Sequence, residues 1–172
     1  MKKLLVFIFL FFSIHSDARQ LVSDLNEVKD VDIQNLAKHW NNVNIEATDK
    51  FPASVYKFSK SKIFNQRSIA ALFKSEYTED IVLNEHIASD NVEVDAYKLA
   101  YALFTADPYI DNEDLGDIGK VLKPITDILS QKNNYLVYLV NTYGAFEGVH
   151  TSLAVASKET KEVLVLTAGY SE

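Results

Sequence analysis

The hydrophobic period changes near residue 133, and no other feature of the chain constrains the fold as much. Before that point apolar residues recur at spacings of three and four, as on one face of a helix. After Asn133 and Asn134 they come in three strand-length runs. "YLVYLVNT" is β-branched and aromatic and apolar on both faces, as a central strand is. "VHTSLAVAS" alternates Val149, Thr151, Leu153 and Val155 against His150, Ser152, Ala154 and Ala156, and "EVLVLTAG" follows the turn "KETK". The three runs read as an antiparallel meander, with a short turn at 158–161 and a longer loop at 143–148. Helices first and strands last predict an α+β fold, with N-terminal and central helices packed on one face of a C-terminal antiparallel sheet of at least three strands.

The helical part divides at its turn signals. Leu21, Leu25 and Val28, then Ile33, Leu36, Ala37 and Trp40, form one stripe of a helix or of two abutting helices, and Asp30 or Asp32 can cap the second piece. The polar run from 41 to 54 reads as a connection, because Asn and Asp compete locally for backbone groups and Phe51 precedes Pro52. "SVYKFS" fits a short strand and "NQRSIAALFKSEY" a helix. "DNVEVDAYKLAYALFTADP" is the clearest helix, with Asp90 and Asn91 at its entry and a face of Tyr97, Ala100, Tyr101 and Phe104. In "NEDLGDIGKVLKPITDILSQK" the spacing of Leu115, Ile118, Leu122, Ile125 and Leu129 is helical, but Pro124 predicts a kink near Val121 or a split into two short helices.

The first eighteen residues concern destination rather than fold. "MKKLLVFIFLFFSIHSDA" has a basic start, an apolar run from Leu4 to Phe12 and small residues at Ser16 and Ala18, the order of a secretory signal peptide. The run is roughly half of the ~20 apolar residues a spanning helix needs, so stable membrane insertion after cleavage is not expected. Residues 1–18 are thus read as a signal peptide and 19–172 as a single globular domain, secreted or periplasmic. The chain has no cysteine, which fits a bacterial envelope better than a disulfide-stapled secreted domain. With 17 Lys and Arg against 24 Asp and Glu, the net charge of −7 disfavours nucleic acid as a partner.

Few residues offer chemistry. Glu147 and His150 stand three apart in "YGAFEGVH", but two glycines make this a poor helix, and helical i, i+3 geometry is what turns Glu-x-x-His into a metal motif. The pair reads either as a hairpin loop with a hydrogen-bonded histidine or as a binding or acid/base site. Three histidines beyond residue 18 and no cysteine give no zinc pattern, and no metal or cofactor is expected. The acids of "DPYIDNEDLGD" miss the EF-hand pattern, since Leu115 and Leu122 occupy ligand positions, and they are better read as helix capping. His39 is placed off the apolar stripe. His86 follows Glu85 with no placement. Ser152 is about 7 Å along the strand from His150, too far for direct proton transfer. Nucleophile elbows, phosphate loops and dinucleotide fingerprints are absent from the sequence.

What remains is a set of tyrosines, residues that bury a ring and keep a polar tip and are favoured at interfaces. The expected function is that of a small exported acidic protein acting by binding a protein partner or a small ligand, as an inhibitor, an immunity-type protein or an accessory factor. His150, Tyr143, Phe146 and Tyr109 are its candidate contacts. The alternative is an envelope-acting hydrolase using Glu147 and His150 with an additional acid. Expression of the full chain in a bacterial host should release a product that begins at Arg19; an intact mass that retains residues 1–18 would contradict export with cleavage.

Overall fold

A computed structural model describes residues 19–45, 49–59, 66–73, 78–85, 91–104, 112–131, 133–144 and 148–170. In chain order the strands are β1 (Arg19–Leu21), β2 (Asp49–Lys50), β3 (Ser54–Phe58), β4 (Thr78–Glu85), β5 (Tyr135–Gly144), β6 (Gly148–Ser157) and β7 (Glu162–Tyr170). The helices are α1 (Val31–Asn42), α2 (Gln66–Ala70), α3 (Val92–Phe104) and α4 (Asn112–Leu129). The fold is α+β. The strands form one antiparallel sheet in the order β1-β3-β7-β6-β5-β4, with β2 also paired to β7.

The predicted meander is present as β5, β6 and β7. Its first connection is shorter than the expected loop at 143–148: β5 runs through Tyr143 to Gly144, which pairs with Gly148, so only 145–147 lie between the strands. Tyrosine favours a pleated strand, and the glycines close the hairpin. The second connection, 158–161, ends on Lys161 at φ 62°, a left-handed conformation usually given to glycine. Lys161 N–H donates to the Ser157 carbonyl at 3.1 Å, and the Lys161 carbonyl accepts from Phe58 N–H at 3.0 Å, so the turn is held from both sides.

β7 is flanked along one edge by β6 and along the other by β3 and then β2. Between Ser54↔Val165 and Lys50↔Ala168 the register slips by one residue. Pro52 sits in that break, and a proline without an N–H is tolerated in a sheet at such a bulge. The break turns backbone groups toward α1: Trp40 Nε1 donates to the Phe51 carbonyl at 2.8 Å, and Ala53 N–H donates to Asn41 Oδ1 at 2.8 Å. The region read as a plain connection therefore holds the end of α1, which reaches Asn42, and a short strand.

Strand alternation divides the core in two. One cluster joins Val137, Leu153, Val155, Leu164 and Leu166 of the sheet to Ile33, Leu36 and Trp40 of α1, Leu99, Leu103 and Phe104 of α3, and Ile118, Val121, Ile125 and Ile128 of α4. Trp40 and Phe104 stack with ring centroids 5.9 Å apart. Each fully buried Leu, Ile or Phe contributes roughly 1.5–3 kcal/mol relative to exposure. The opposite face is buried as well: Tyr138, Val140, Ala154, Ala156, Val163 and Val165 meet Phe58 and Ile69, with Leu72 and Phe73 alongside. The sequence expectation placed helices on one face; α2 supplies Ile69 to the other.

Two helical expectations change, and of the two offered for the proline-containing helix one is set aside. Leu21, Leu25 and Val28 do not continue α1. Residues 19–21 pair with β3, Val22 N–H donates to the Val55 carbonyl at 2.8 Å, and Leu25–Glu27 is a single 3-10 turn capped by Asp24. α1 itself starts as predicted, with Asp30 accepting from Ile33 N–H. The inward face of α3 runs through Ala96, Leu99, Ala100, Leu103 and Phe104, which leaves Tyr97 42% exposed; leucines are cheaper to bury than phenol hydroxyls.

α4 continues from Asn112 to Leu129 without splitting at Pro124. A proline removes the N–H that would bond the carbonyl four residues back, here that of Lys120. His39 Nε2, from the neighbouring helix, lies 2.7 Å from that carbonyl and takes the place of the missing donor. The Lys120 ammonium in turn donates to Asp117 Oδ1 at 2.6 Å and to the Asn44 carbonyl at 2.8 Å, so one residue ties α4 to α1 through both ends. His39→Ala should lower stability by about 1 kcal/mol. In a Pro124→Ala background, where the helix supplies its own N–H, the same substitution should cost measurably less. Equal costs in urea melts of the two backgrounds would disprove the coupling.

Candidate functional site

The β5–β6 hairpin brings two of the sequence candidates together at the level of the backbone. Tyr143 pairs with Val149, and His150 pairs with Thr142 on the next rung and with Gly169 of β7. Tyr143 also pairs with Asp80 of β4. Phe146, Glu147, Tyr109 and His86 lie outside the described residues, as do Asp107 and Asp111. The segment tested against the EF-hand pattern is helical from Asn112 onward, so it is not a calcium loop. Ser152 is buried, and its hydroxyl is 2.7 Å from that of Thr167, its partner across β6 and β7. Among the described residues no group of His, Asp and Glu side chains converges as a metal site, and no helix is long and apolar enough to cross a membrane.

Among the described residues, a dense polar network lies where α1 starts. Glu162, the first residue of β7, is fully buried; its carboxylate accepts from Lys29 N–H at 3.0 and 3.1 Å and from Asp30 N–H at 2.9 Å. Asp30 Oδ1 accepts from Ile33 N–H at 3.1 Å and from the Tyr135 hydroxyl at 2.9 Å. Asp32 Oδ2 accepts from Gln131 Nε2 at 2.8 Å and lies 3.1 Å from the same hydroxyl. Negative charge at this end of a helix is favoured by the unpaired N–H groups of the first turn. The network secures the helix entry and leaves its carboxylates occupied.

Tyr135 is the titratable centre of this network. Burial pushes its phenol well above the ordinary 10.0, and the hydrogen bond to Asp30, the charge of Asp30 and then Asp32 push it the same way. The sequence reading did not single out Glu162 or Tyr135. A signal for Glu162 exists: it shares strand parity with Leu164 and Leu166, so a charged residue stands in the inward-facing series.

The far end of α1 is closed by Lys50. Its ammonium donates to the carbonyls of Trp40 (2.7 Å) and Val43, and lies 5.8 Å from the Trp40 ring centroid. Loss of hydration pushes this amine below its ordinary 10.5. A cation at the carbonyl end of a helix and over an indole face is favourable on both counts.

Against these occupied groups, the outer face of α3 stands out. Val94 is 44% and Tyr97 42% exposed, and Tyr101 is half-buried beside them, at the i, i+3, i+7 spacing of one helical seam. The Tyr97 and Tyr101 rings stack at 6.1 Å with 29° between their planes. Glu93 and Lys98 flank the seam, both exposed. Comparison of the chain with protein-family models, with characterised proteins and with solved structures returned no match.

The Tyr135 network predicts an alkaline weakness. A phenol held protonated in the folded state adds stability below about pH 10, where the unfolded phenol is also neutral, and that stability drains away as pH rises above it. Tyr135→Phe should be less stable than wild type near pH 8, by about 1–3 kcal/mol for the unpaired carboxylates. The gap should narrow between pH 10 and pH 11. A gap that stays constant across denaturant melts over that range would show that Tyr135 is not coupled to the fold through its proton.

Proposed function

We propose that the protein is a small exported acidic protein that acts by binding another protein, and that the outer seam of α3 forms part of the contact surface. The observation that carries this reading is the seam of exposed Val94 and Tyr97 with half-buried Tyr101, whose ring stacks on that of Tyr97. Exposed apolar side chains arrayed along one helix face mark an interaction surface more often than singly scattered ones do. Tyrosines supply large contact area with few rotatable bonds, and a stacked pair has already lost part of the freedom that binding would remove. His150 and Tyr143 on the β5–β6 hairpin are proposed as further contacts, together with Phe146 and Tyr109, which lie outside the described residues.

Several polar side chains among the described residues serve the fold. Ser152 is engaged with Thr167, His39 with a helix carbonyl, and Asp30, Asp32 and Glu162 with the entry of α1. Their chemistry is committed to the fold. Export to a periplasm or to the exterior rests on the first eighteen residues and is part of the same proposal.

The test is affinity capture from envelope and secreted fractions with wild type, Tyr97→Ser/Tyr101→Ser and His150→Ala. A stoichiometric protein partner should be recovered by wild type and weakened at least about tenfold by the double tyrosine variant, as expected when an aromatic anchor is lost. The melting temperature of that variant should fall by no more than a few degrees, since Tyr97 is exposed and Tyr101, which packs against the margin of the core, is only half-buried. Equal recovery by wild type and the tyrosine variant would remove α3 from the surface. A partner lost only with His150→Ala would move the site to the β5–β6 hairpin.

A further inference from the structure

The sheet has two ends, and they are unequal. β1 spans only Arg19–Leu21, whereas β4 offers Thr78–Glu85 and, among the described strands, pairs on one side only, with β5. In such a strand every second residue directs its N–H and C=O away from the sheet, toward whatever lies alongside. A register shift between Thr78 and Asp80 breaks the pairing at one end, and regular pairing covers residues 80–85. This is the length of an ordinary short strand.

The composition of that edge discriminates among occupants. Thr-Glu-Asp-Ile-Val-Leu-Asn-Glu carries three carboxylates and no Lys or Arg. Two copies of β4 laid antiparallel with residues 80–85 fully side by side would set Asp80 of each opposite Glu85 of the other. Like charges directly opposite destabilise a strand pair, so the edge is guarded against a second copy of this chain. A strand bearing Lys or Arg meets the opposite sign at the same positions, while Ile81, Val82 and Leu83 provide a β-favouring centre. The net charge of −7 attracts such a segment from a distance.

We propose that β4 is a strand-addition site, and that its occupant is an extended basic segment of another protein, laid along residues 80–85 with main-chain hydrogen bonds supplying affinity and the acidic residues supplying selectivity. The site is separate from the α3 seam, and either can act without the other.

The test uses the full chain, isotope-labelled, with three synthetic peptides of about eight residues: alternating Lys and Val, alternating Glu and Val, and the Lys–Val peptide with a central proline. Amide exchange is followed residue by residue, and affinity by titration. The Lys–Val peptide should protect amides within Thr78–Glu85 and bind at least about tenfold more tightly than the Glu–Val peptide. The proline peptide, which cannot maintain a ladder, should lose that protection. Asp80→Lys/Glu85→Lys should reverse the preference. Asp80→Asn/Glu85→Gln, which keeps side-chain size should the reversal variant fail to fold, should bring the two peptides to near parity. Absence of binding, equal affinity for the acidic and basic peptides, retention of binding by the proline peptide, or protection confined to other strands would each overturn the proposal.

Discussion

A single buried carboxylate joins the two halves of this molecule. Glu162 opens β7 and accepts the backbone N–H groups of Lys29 and Asp30, 133 and 132 residues away in sequence. Removing a carboxylate from water costs several kcal/mol, and here three short contacts to N–H groups at the positive end of a helix offset it. Asp30 then caps α1, and Tyr135 of β5 binds Asp30 and reaches Asp32. At the other end, Trp40, Asn41 and Lys50 fasten α1 to the bulge at Pro52. Once α1 is placed from both ends, Trp40 can meet Phe104 of α3, and His39 can reach the carbonyl that Pro124 leaves open in α4. Apolar burial supplies most of the driving force, but these directional contacts select one arrangement of the helices over its near alternatives.

The distribution of polar groups separates scaffold from surface. Side chains that resemble catalytic material, Asp30, Asp32, Glu162, Tyr135, Ser152 and His39, serve helix ends, a strand pair and an orphaned carbonyl. The α3 seam shows the reverse pattern: Val94 and Tyr97, which a core could have used, face water, while Asp95 between them is buried. The helix turns its leucines inward and keeps Tyr97 outside, with Tyr101 at the margin.

How much of this was legible depended on whether the information was local. The meander was legible because parity and turn residues are written in adjacent positions, and the start of α1 because Asp30 stands three residues before Ile33. Leu21, Leu25 and Val28 had helical spacing, yet backbone pairing to β3 outweighed it over a segment too short to hold a helix alone. β4 was not anticipated, because its apolar run of three residues between Asp80 and Asn84 resembles a loop until β5 is there to pair with it. His39 was placed at the surface, which is correct, but its role depends on a proline 85 positions later. Of the candidate contacts, Tyr143 and His150 fall on adjacent rungs, a juxtaposition that the hairpin closing at Gly144 and Gly148 creates and that the predicted longer loop would not have required.

The placement of β7 has a consequence for the order in which the molecule can form. Its neighbours on one edge come from residues 49–58 and on the other from β6, so β2 and β3 have no place in the sheet until residues 162–170 have been made. Non-local pairing of this kind is slow, because chain entropy must be surrendered before contacts repay it. During that interval β1 and β3 can form their small ribbon, but the first helix lacks both its Glu162 anchor and the sheet it covers. Such a chain stays open for longer than one whose early segments close upon themselves.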